Sequence, residues 1–192
     1  HLLVRIAKAL EDARVRREVV ELRSKLGAEG DLLGQSTGIN AVRQLIERGG
    51  LEGTGQAREV TMLFADIRGF TTLSESRAPH EVVEILNRYF TRQVDVIFRH
   101  GGSLDKFIGD AIMAFWGAPL DDPDHAQHAV ACALDMADTL LAFKAELGEL
   151  GRDFDVGIGI HSGPAVVGLI GSEKRREYTS IGDTVTLASR IE

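Results

Sequence analysis

Two apolar, β-prone runs, Ser103–Ile108 and Ala111–Trp116, flank the dipeptide Gly109-Asp110. Strands joined by two residues, one of them glycine, close as an antiparallel hairpin. A tight hairpin in the middle of a chain that otherwise alternates strands and helices argues against a doubly wound parallel sheet. The flanking segments fit the same conclusion. Residues 60–65 form an apolar, buried-strand pattern. Pro79 suits a first helical turn, and Val82, Val83, Leu86, Phe90, Val94 and Ile97 then line one face until Gly101-Gly102. A second helix, capped by Asp122 with Pro123 inside it, runs through Ala126, Val130, Ala133, Ala137, Leu140 and Leu141 to Gly148. Residues 154–160 and 164–170 read as two strands, 178–181 as a short strand and 184–191 as the start of a helix. This order predicts an α+β fold, a ferredoxin-like antiparallel sheet with helices on one face.

Upstream, residues 1–27 contain no proline and no glycine before Gly27. Leu3, Ile6, Leu10 and Ala13 keep the three-four spacing of a coiled-coil seam. Val15, Val19, Leu22 and Leu26 keep it in a shifted phase, as across a stutter. The segment is expected to be a coiled-coil signalling helix. Residues 28–57 read as a glycine-rich linker with a short helix over 38–48, capped near Ser36 or Thr37. The α+β domain then occupies 58–192. Within the linker, Gly50 and Gly55 have the spacing of a phosphate-binding P-loop, but Gln56 and Ala57 stand where that loop needs Lys and Ser or Thr. The motif is rejected.

The formal charge of −7 argues against a nucleic-acid or anionic-membrane binder, both of which need a basic face. Cys132 is the only cysteine, so no internal disulfide forms, and a reducing cytoplasm is the expected location. No apolar run approaches the roughly 20 residues of a membrane span. A chain that opens on His1 reads as a fragment of something longer.

Two aspartates stand at strand ends in apolar surroundings: Asp66 after Phe64-Ala65, and Asp110 in the hairpin turn. Spacing alone favours the plain reading, with Asp66 capping a turn and Asp110 shaping the hairpin. The alternative is that the carboxylates meet around a hard cation such as magnesium. His125 and His128, three apart on the second helix, have a metal-compatible spacing but read as a solvated face, and His161 reads as structural.

Four segments, "FADIRGFTTLSE", "LDKFIGDAIMAFWG", "GIGIHSGPAVVGLIG" and "YTSIGDTVTLASRIE", resemble in order the catalytic domain of class III adenylate and guanylate cyclases. The resemblance covers residues 58–192 and implies conversion of ATP to 3′,5′-cyclic AMP and pyrophosphate. It implies that Asp66, Asp110 and the Ile67 carbonyl hold two magnesium or manganese ions, and that the Gly69 and Phe70 amides hold phosphate oxygens. Lys106 and Thr179 match the base-reading positions, in the pairing seen in adenylate cyclases that resemble the bicarbonate-responsive subgroup. A lysine can donate to adenine N1 but offers guanine N1–H no acceptor. Arg190 matches an arginine that stabilises the transition-state phosphate, and its planar fork suits that task.

Two departures stand out. Thr186 replaces the ribose-orienting asparagine of the family, and the chain stops before the family's last helix and strands, which include a triphosphate-binding lysine. The resemblance further implies a homodimer, with metal ligands from one chain facing base readers from the other. The N-terminal helix would pair with its twin and carry a signal from an upstream sensor or receiver domain. The competing readings are a guanylate cyclase and a catalytically weak or dead module that binds nucleotide or dimerises.

Overall fold

The computed structural model describes residues 55–75, 77–152, 154–172 and 176–192. The expected coiled-coil helix over 1–27, and the linker as far as residue 54, lie outside them. The first strand, β1 (Gln56–Arg68), starts just inside the stretch expected to be linker. It is followed by a short helix α1 (Phe70–Glu75), a long helix α2 (Pro79–Arg99), and the hairpin β2 (Ser103–Ile108) and β3 (Ala111–Trp116). Then come helix α3 (His125–Leu147), strands β4 (Asp155–Gly171) and β5 (Arg176–Ile181), and helix α4 (Asp183–Ile191). The sheet order is β2-β3-β1-β4-β5, and each neighbouring pair is antiparallel. β1 and β2 run parallel with β3 between them, which is the split arrangement of the ferredoxin-like plan.

The middle of β1, residues 60–65, is apolar apart from Thr61 because both of its faces are covered. Side chains alternate across a strand. Leu63, Ala65 and Ile67 pack with Ile112, Ala114 and Trp116 against α2 and α3. Val60, Met62 and Phe64 pack with Met113, Phe115, Ala165, Val167 and Ala188 on the other side. Ala188 belongs to α4, so the expectation of helices on one face needs correction. The two long helices share a face, and α4 lies on the opposite one. The "GIGIHSG" segment supplies its seat. A Cβ on Gly159 would stand 2.4 Å from the Ala188 carbonyl oxygen, and one on Gly163 would stand 2.8 Å from Thr184 Oγ1. Alternate glycines along β4 therefore leave space for a helix on one side only.

The inward face of α2 is close to the one expected, with Val82 and Ile97 buried and Leu86 and Phe90 packed against the core, whereas α3 turns a largely different face inward. In α2 the buried residues are Val82, Ile85, Tyr89, Gln93, Val96 and Ile97, while Val83 is exposed. In α3 they are Ala129, Cys132, Met136, Leu140 and Phe143, while Val130 and Leu141 are exposed. The α3 helix begins at His125, later than expected, and Asp122 instead accepts from the Asp124 N–H at 3.0 Å. The strands expected at 154–160 and 164–170 are one continuous β4. Pro164 is tolerated because it lies where β4 pairs with β1 but not yet with β5, whose register starts at Val166. No described helix is long and apolar enough to cross a membrane.

Candidate active site

The register of β1 with β3 runs Phe64↔Met113 and Ala65↔Ile112, which brings Asp66 level with the hairpin turn. Gly109 takes φ 64, a left-handed value that glycine reaches without strain, and the turn presents Asp110 toward β1. The Asp66 and Asp110 carboxyls come into hydrogen-bonding contact, and Asp110 also accepts from the Ile67 backbone N–H. Burial, and then the charge and contact of Asp66, hold the Asp110 carboxyl above the usual carboxylate range. Beneath the pair, Tyr89 of α2 is fully buried, and its hydroxyl has no hydrogen-bond partner among the described residues. Burial, followed by the charges of Asp66 and Asp110, raises its phenol pKa. The Glu192 carboxyl is raised as well, by burial and then by the same two aspartates.

The two aspartates at the site are of one sign, and a cation between them would relieve their repulsion. Two carboxylates beside a backbone carbonyl are a hard-oxygen donor set of the kind magnesium takes when substrate phosphates supply the rest. Among the described residues no group of three or more His, Cys, Asp or Glu side chains forms a metal cluster. Just past Arg68, Gly69 takes φ 70, and Phe70 opens α1. A Cβ at Gly69 would meet nothing within 4 Å, so the backbone conformation rather than crowding favours glycine there.

A second polar cluster forms farther along β2. A bulge between Leu104 and Lys106 displaces Asp105 from the ladder. Beyond its pairing with β1, β4 continues to Gly171 beside β5, and this arm crosses the α4 side of the sheet. There Tyr178 meets Phe115 with ring centroids 6.2 Å apart, and Ser180 Oγ donates to Met62 Sδ at 3.2 Å. Strands at opposite ends of the sheet order thus touch. Thr179 Oγ1 donates to Asp105 Oδ2 at 2.6 Å, and Lys106 Nζ donates to Glu177 Oε2 at 2.7 Å. Lys106 Nζ also stands 3.5 Å from Asp105 Oδ1, an ion-pair distance outside good hydrogen-bond geometry. The Asp105 side chain is wholly buried, and burial raises its carboxyl against the lowering contributions of Thr179 and Lys106. Hydrogen bonding to Glu177 raises the Lys106 ammonium.

The structure therefore gathers Asp66, Ile67 and Asp110 at one place, and Lys106 and Thr179 at another. Thr186 and Arg190 lie one turn apart on α4, both exposed. The sequence reading missed Asp105, Glu177 and Tyr89. An aspartate within a strand, where this residue is depleted, was the available signal for Asp105. The histidines have separate partners: His125 Nδ1 lies 2.6 Å from Thr61 Oγ1, and His128 Nδ1 lies 2.8 Å from Asp122 Oδ2. They do not form a metal pair. A cleft lined by His100, Ser103, Pro119, Asp122 and His128 opens at the other end of the hairpin, away from the carboxylates.

Residues 54–192 match the family described as the adenylate and guanylate cyclase catalytic domain. The chain is 45% identical over 153 residues to adenylate cyclase 1 of Rhizobium meliloti, covering 79% of this chain and 23% of that protein. It is 41% identical over 145 residues to an adenylate cyclase of Anabaena cylindrica, covering 73% and 28%. The chain thus spans about a quarter of the length of these relatives. Among solved structures, the guanylyl cyclase Cya2 superposes with a TM-score of 0.69 at 45% identity, covering 73% of this chain and 72% of that one. The adenylyl cyclase CyaB from P. aeruginosa superposes with a TM-score of 0.69 at 34% identity, covering 71% and 72%.

Proposed function

This chain belongs to the family of adenylate and guanylate cyclase catalytic domains, and from that premise we propose that it converts ATP to 3′,5′-cyclic AMP and pyrophosphate. The observation that carries the reading is the contact between the Asp66 and Asp110 carboxyls at the mouth of the hairpin. Asp66, Asp110 and the Ile67 carbonyl would hold two magnesium or manganese ions. When bound, such ions neutralise the triphosphate and ease loss of the 3′-hydroxyl proton. The chain's own contribution is positioning and charge. The Gly69 and Phe70 amides receive phosphate oxygens, as amides at a turn do. Arg190 offers a planar donor fork to the phosphate as the 3′-oxygen bonds to the α-phosphorus and pyrophosphate departs. Thr186 offers one hydroxyl near the ribose, a weaker hold than an asparagine amide.

For the base, Lys106 donates to adenine N1 and Thr179 accepts from the 6-amino group. Guanine presents the reverse pattern at both atoms. A guanylate cyclase is the second reading, since the guanylyl cyclase Cya2 is 45% identical to this chain. The site is shared between two copies of the chain related by a two-fold axis, with carboxylates from one protomer facing Lys106 and Thr179 of its partner. In the full-length cytoplasmic protein an upstream sensor or receiver domain controls that apposition.

The test is turnover by the full-length protein with manganese, ATP and GTP in competition, and Asp66→Ala or Asp110→Ala alongside. Cyclic AMP formation that either substitution abolishes supports the proposal. Preferential cyclic GTP formation replaces it with the second reading. Nucleotide binding without turnover in the wild-type protein leaves a binding module.

A further inference from the structure

Thr179 is a short side chain with one hydroxyl, and a hydroxyl can donate or accept. Left free to rotate, it would meet an amino group or a carbonyl at purine position 6 about equally well. Its contact with Asp105 removes that freedom. The Thr179 Oγ1 proton points to Asp105 Oδ2 at 2.6 Å, the short distance of a charge-assisted O–H···O bond. Asp105 is held in turn. Its side chain is fully buried, it accepts from the Ser180 backbone N–H, and the bulge at Leu104/Lys106 aims it at β5. With its only proton committed, Thr179 has only lone pairs to offer a ligand.

We propose that Asp105 is a specificity-determining positioning residue, which fixes the Thr179 hydroxyl as an acceptor and so selects a purine with an amino group at position 6. The inference rests on the reading that Lys106 and Thr179 face the base. Asp105 itself touches no substrate and acts through Thr179. The nearby Oδ1, buried without a hydrogen-bond partner among the described residues, lies 3.5 Å from Lys106 Nζ. Lys106 Nζ itself donates to Glu177 Oε2 at 2.7 Å, so the orienting role of Asp105 is confined to the acceptor on β5.

The experiment compares ATP with inosine 5′-triphosphate, which has a carbonyl at position 6 and no amino group at position 2. Preference is the ratio of kcat/KM values, measured in the full-length protein with manganese. Asp105→Asn and Asp105→Leu have nearly the same shape and both lack the charge near Lys106. Only the asparagine can still accept the Thr179 proton. We expect Asp105→Leu to lower the ATP preference about tenfold, chiefly by improving use of the inosine nucleotide, and Asp105→Asn to keep most of it. Thr179→Val should lower the preference by a similar factor, and adding Asp105→Leu to it should change the preference no further. Thermal melting of each variant separates this effect from loss of fold.

Equal preference in Asp105→Asn and Asp105→Leu, with Thr179→Val reduced, overturns the positioning role and leaves the base-reading assignment standing. An unchanged preference in Thr179→Val overturns the base-reading assignment itself. Should Asp105→Leu fail to fold, the decision passes to Asp105→Asn and Asp105→Ser. Asn and Ser can both accept, but the shorter Ser cannot reach Thr179. Retention by Asn and loss by Ser support the role, and any other pattern overturns it.

Discussion

The β2–β3 hairpin carries two acidic centres solved in opposite ways. At its turn, Asp110 meets Asp66, and near them stand another acid, Glu192, and the Tyr89 phenol, which has no hydrogen-bond partner among the described residues. Halfway along β2, Asp105 is buried more completely but meets Thr179, the Ser180 amide and Lys106. A buried carboxylate is costly unless its oxygens find donors or a cation. The second centre finds them within the chain, so it is rigid before any ligand arrives. The first finds fewer, and Asp110 is held above the usual carboxylate range; on the proposed function a bound cation supplies the missing positive charge. On the proposed function the first is the binding site, and the second, whose Oδ2 finds a donor within the chain, is a preformed ruler for the base.

The largest expected effect breaks the centre that depends on a ligand. Asp110→Asn keeps an acceptor for the Ile67 N–H but removes one of two repelling charges. Turnover in the full-length protein should fall more than about 100-fold, since a direct ligand matters more than the outer-shell groups that cost 10–100-fold. Melting in chelator should hold or rise. Manganese at 100 times its dissociation constant should stabilise the wild type by about 2.7 kcal/mol, and that gain should vanish in the variant. A variant that melts well below the wild type in chelator, with manganese stabilisation intact, would put the Asp66–Asp110 contact among the structural pairs and undo the comparison.

A smaller effect comes from the satisfied centre. Lys106→Met leaves the Asp105 carboxylate without its nearest cation, so stability should drop by about 1 kcal/mol. The Lys106 side chain is 35% exposed, and water screens part of its interaction, which keeps the figure low. Asp105→Leu on top of Lys106→Met should recover that loss, because the stranded charge is then gone. Urea midpoints of the four proteins give the coupling. Additive losses would mean that the two residues do not share one environment.

The same contrast explains what was legible in the sequence. Strand order, the hairpin and the two aspartates at strand ends follow from local signals: period-two apolar runs, a glycine turn, and charge where apolar residues should be. The α3 face did not follow, and the α2 face followed only in part. In α2 the inward stripe includes Gln93 and Tyr89, polar-capable residues that an apolar count passes over, and exposed Val83 was taken in their place. In α3 apolar residues surround the helix, so no face stands out by composition. The position of α4 hid in the glycines of β4, which look like turn formers until a helix is seen resting on them. Asp105 left a signal, as an aspartate within a strand, but its role was hidden for a different reason. Its partners Thr179 and Ser180 lie on the strand at the far end of the sheet order, and only the arm of β4 and β5 brings them across.

The finest test asks whether the satisfied centre is fully satisfied. Burial is the largest influence on Asp105, and it raises the carboxyl above 3.8 despite Thr179, Ser180 and Lys106. A carboxyl held higher in the folded than in the unfolded chain binds its proton more tightly when folded. Its contribution to stability is therefore greatest below 3.8 and declines as pH climbs through the raised value. Asp105→Asn has no such dependence at this position. Urea midpoints of wild type and Asp105→Asn, taken in steps from acid to neutral pH, should show the wild type losing ground over that interval and no further change above it. Repeating the comparison in a Lys106→Met background should widen the loss of the protein that keeps Asp105, because one lowering influence on its carboxyl is then absent. If the wild type gains ground instead, the donors outweigh burial, and the centre at Asp105 is better compensated than its buried position implies. The contrast with Asp66 and Asp110 would then be sharper, because the same hairpin would carry one carboxylate stabilised by its own chain and another to which the proposed function brings a cation.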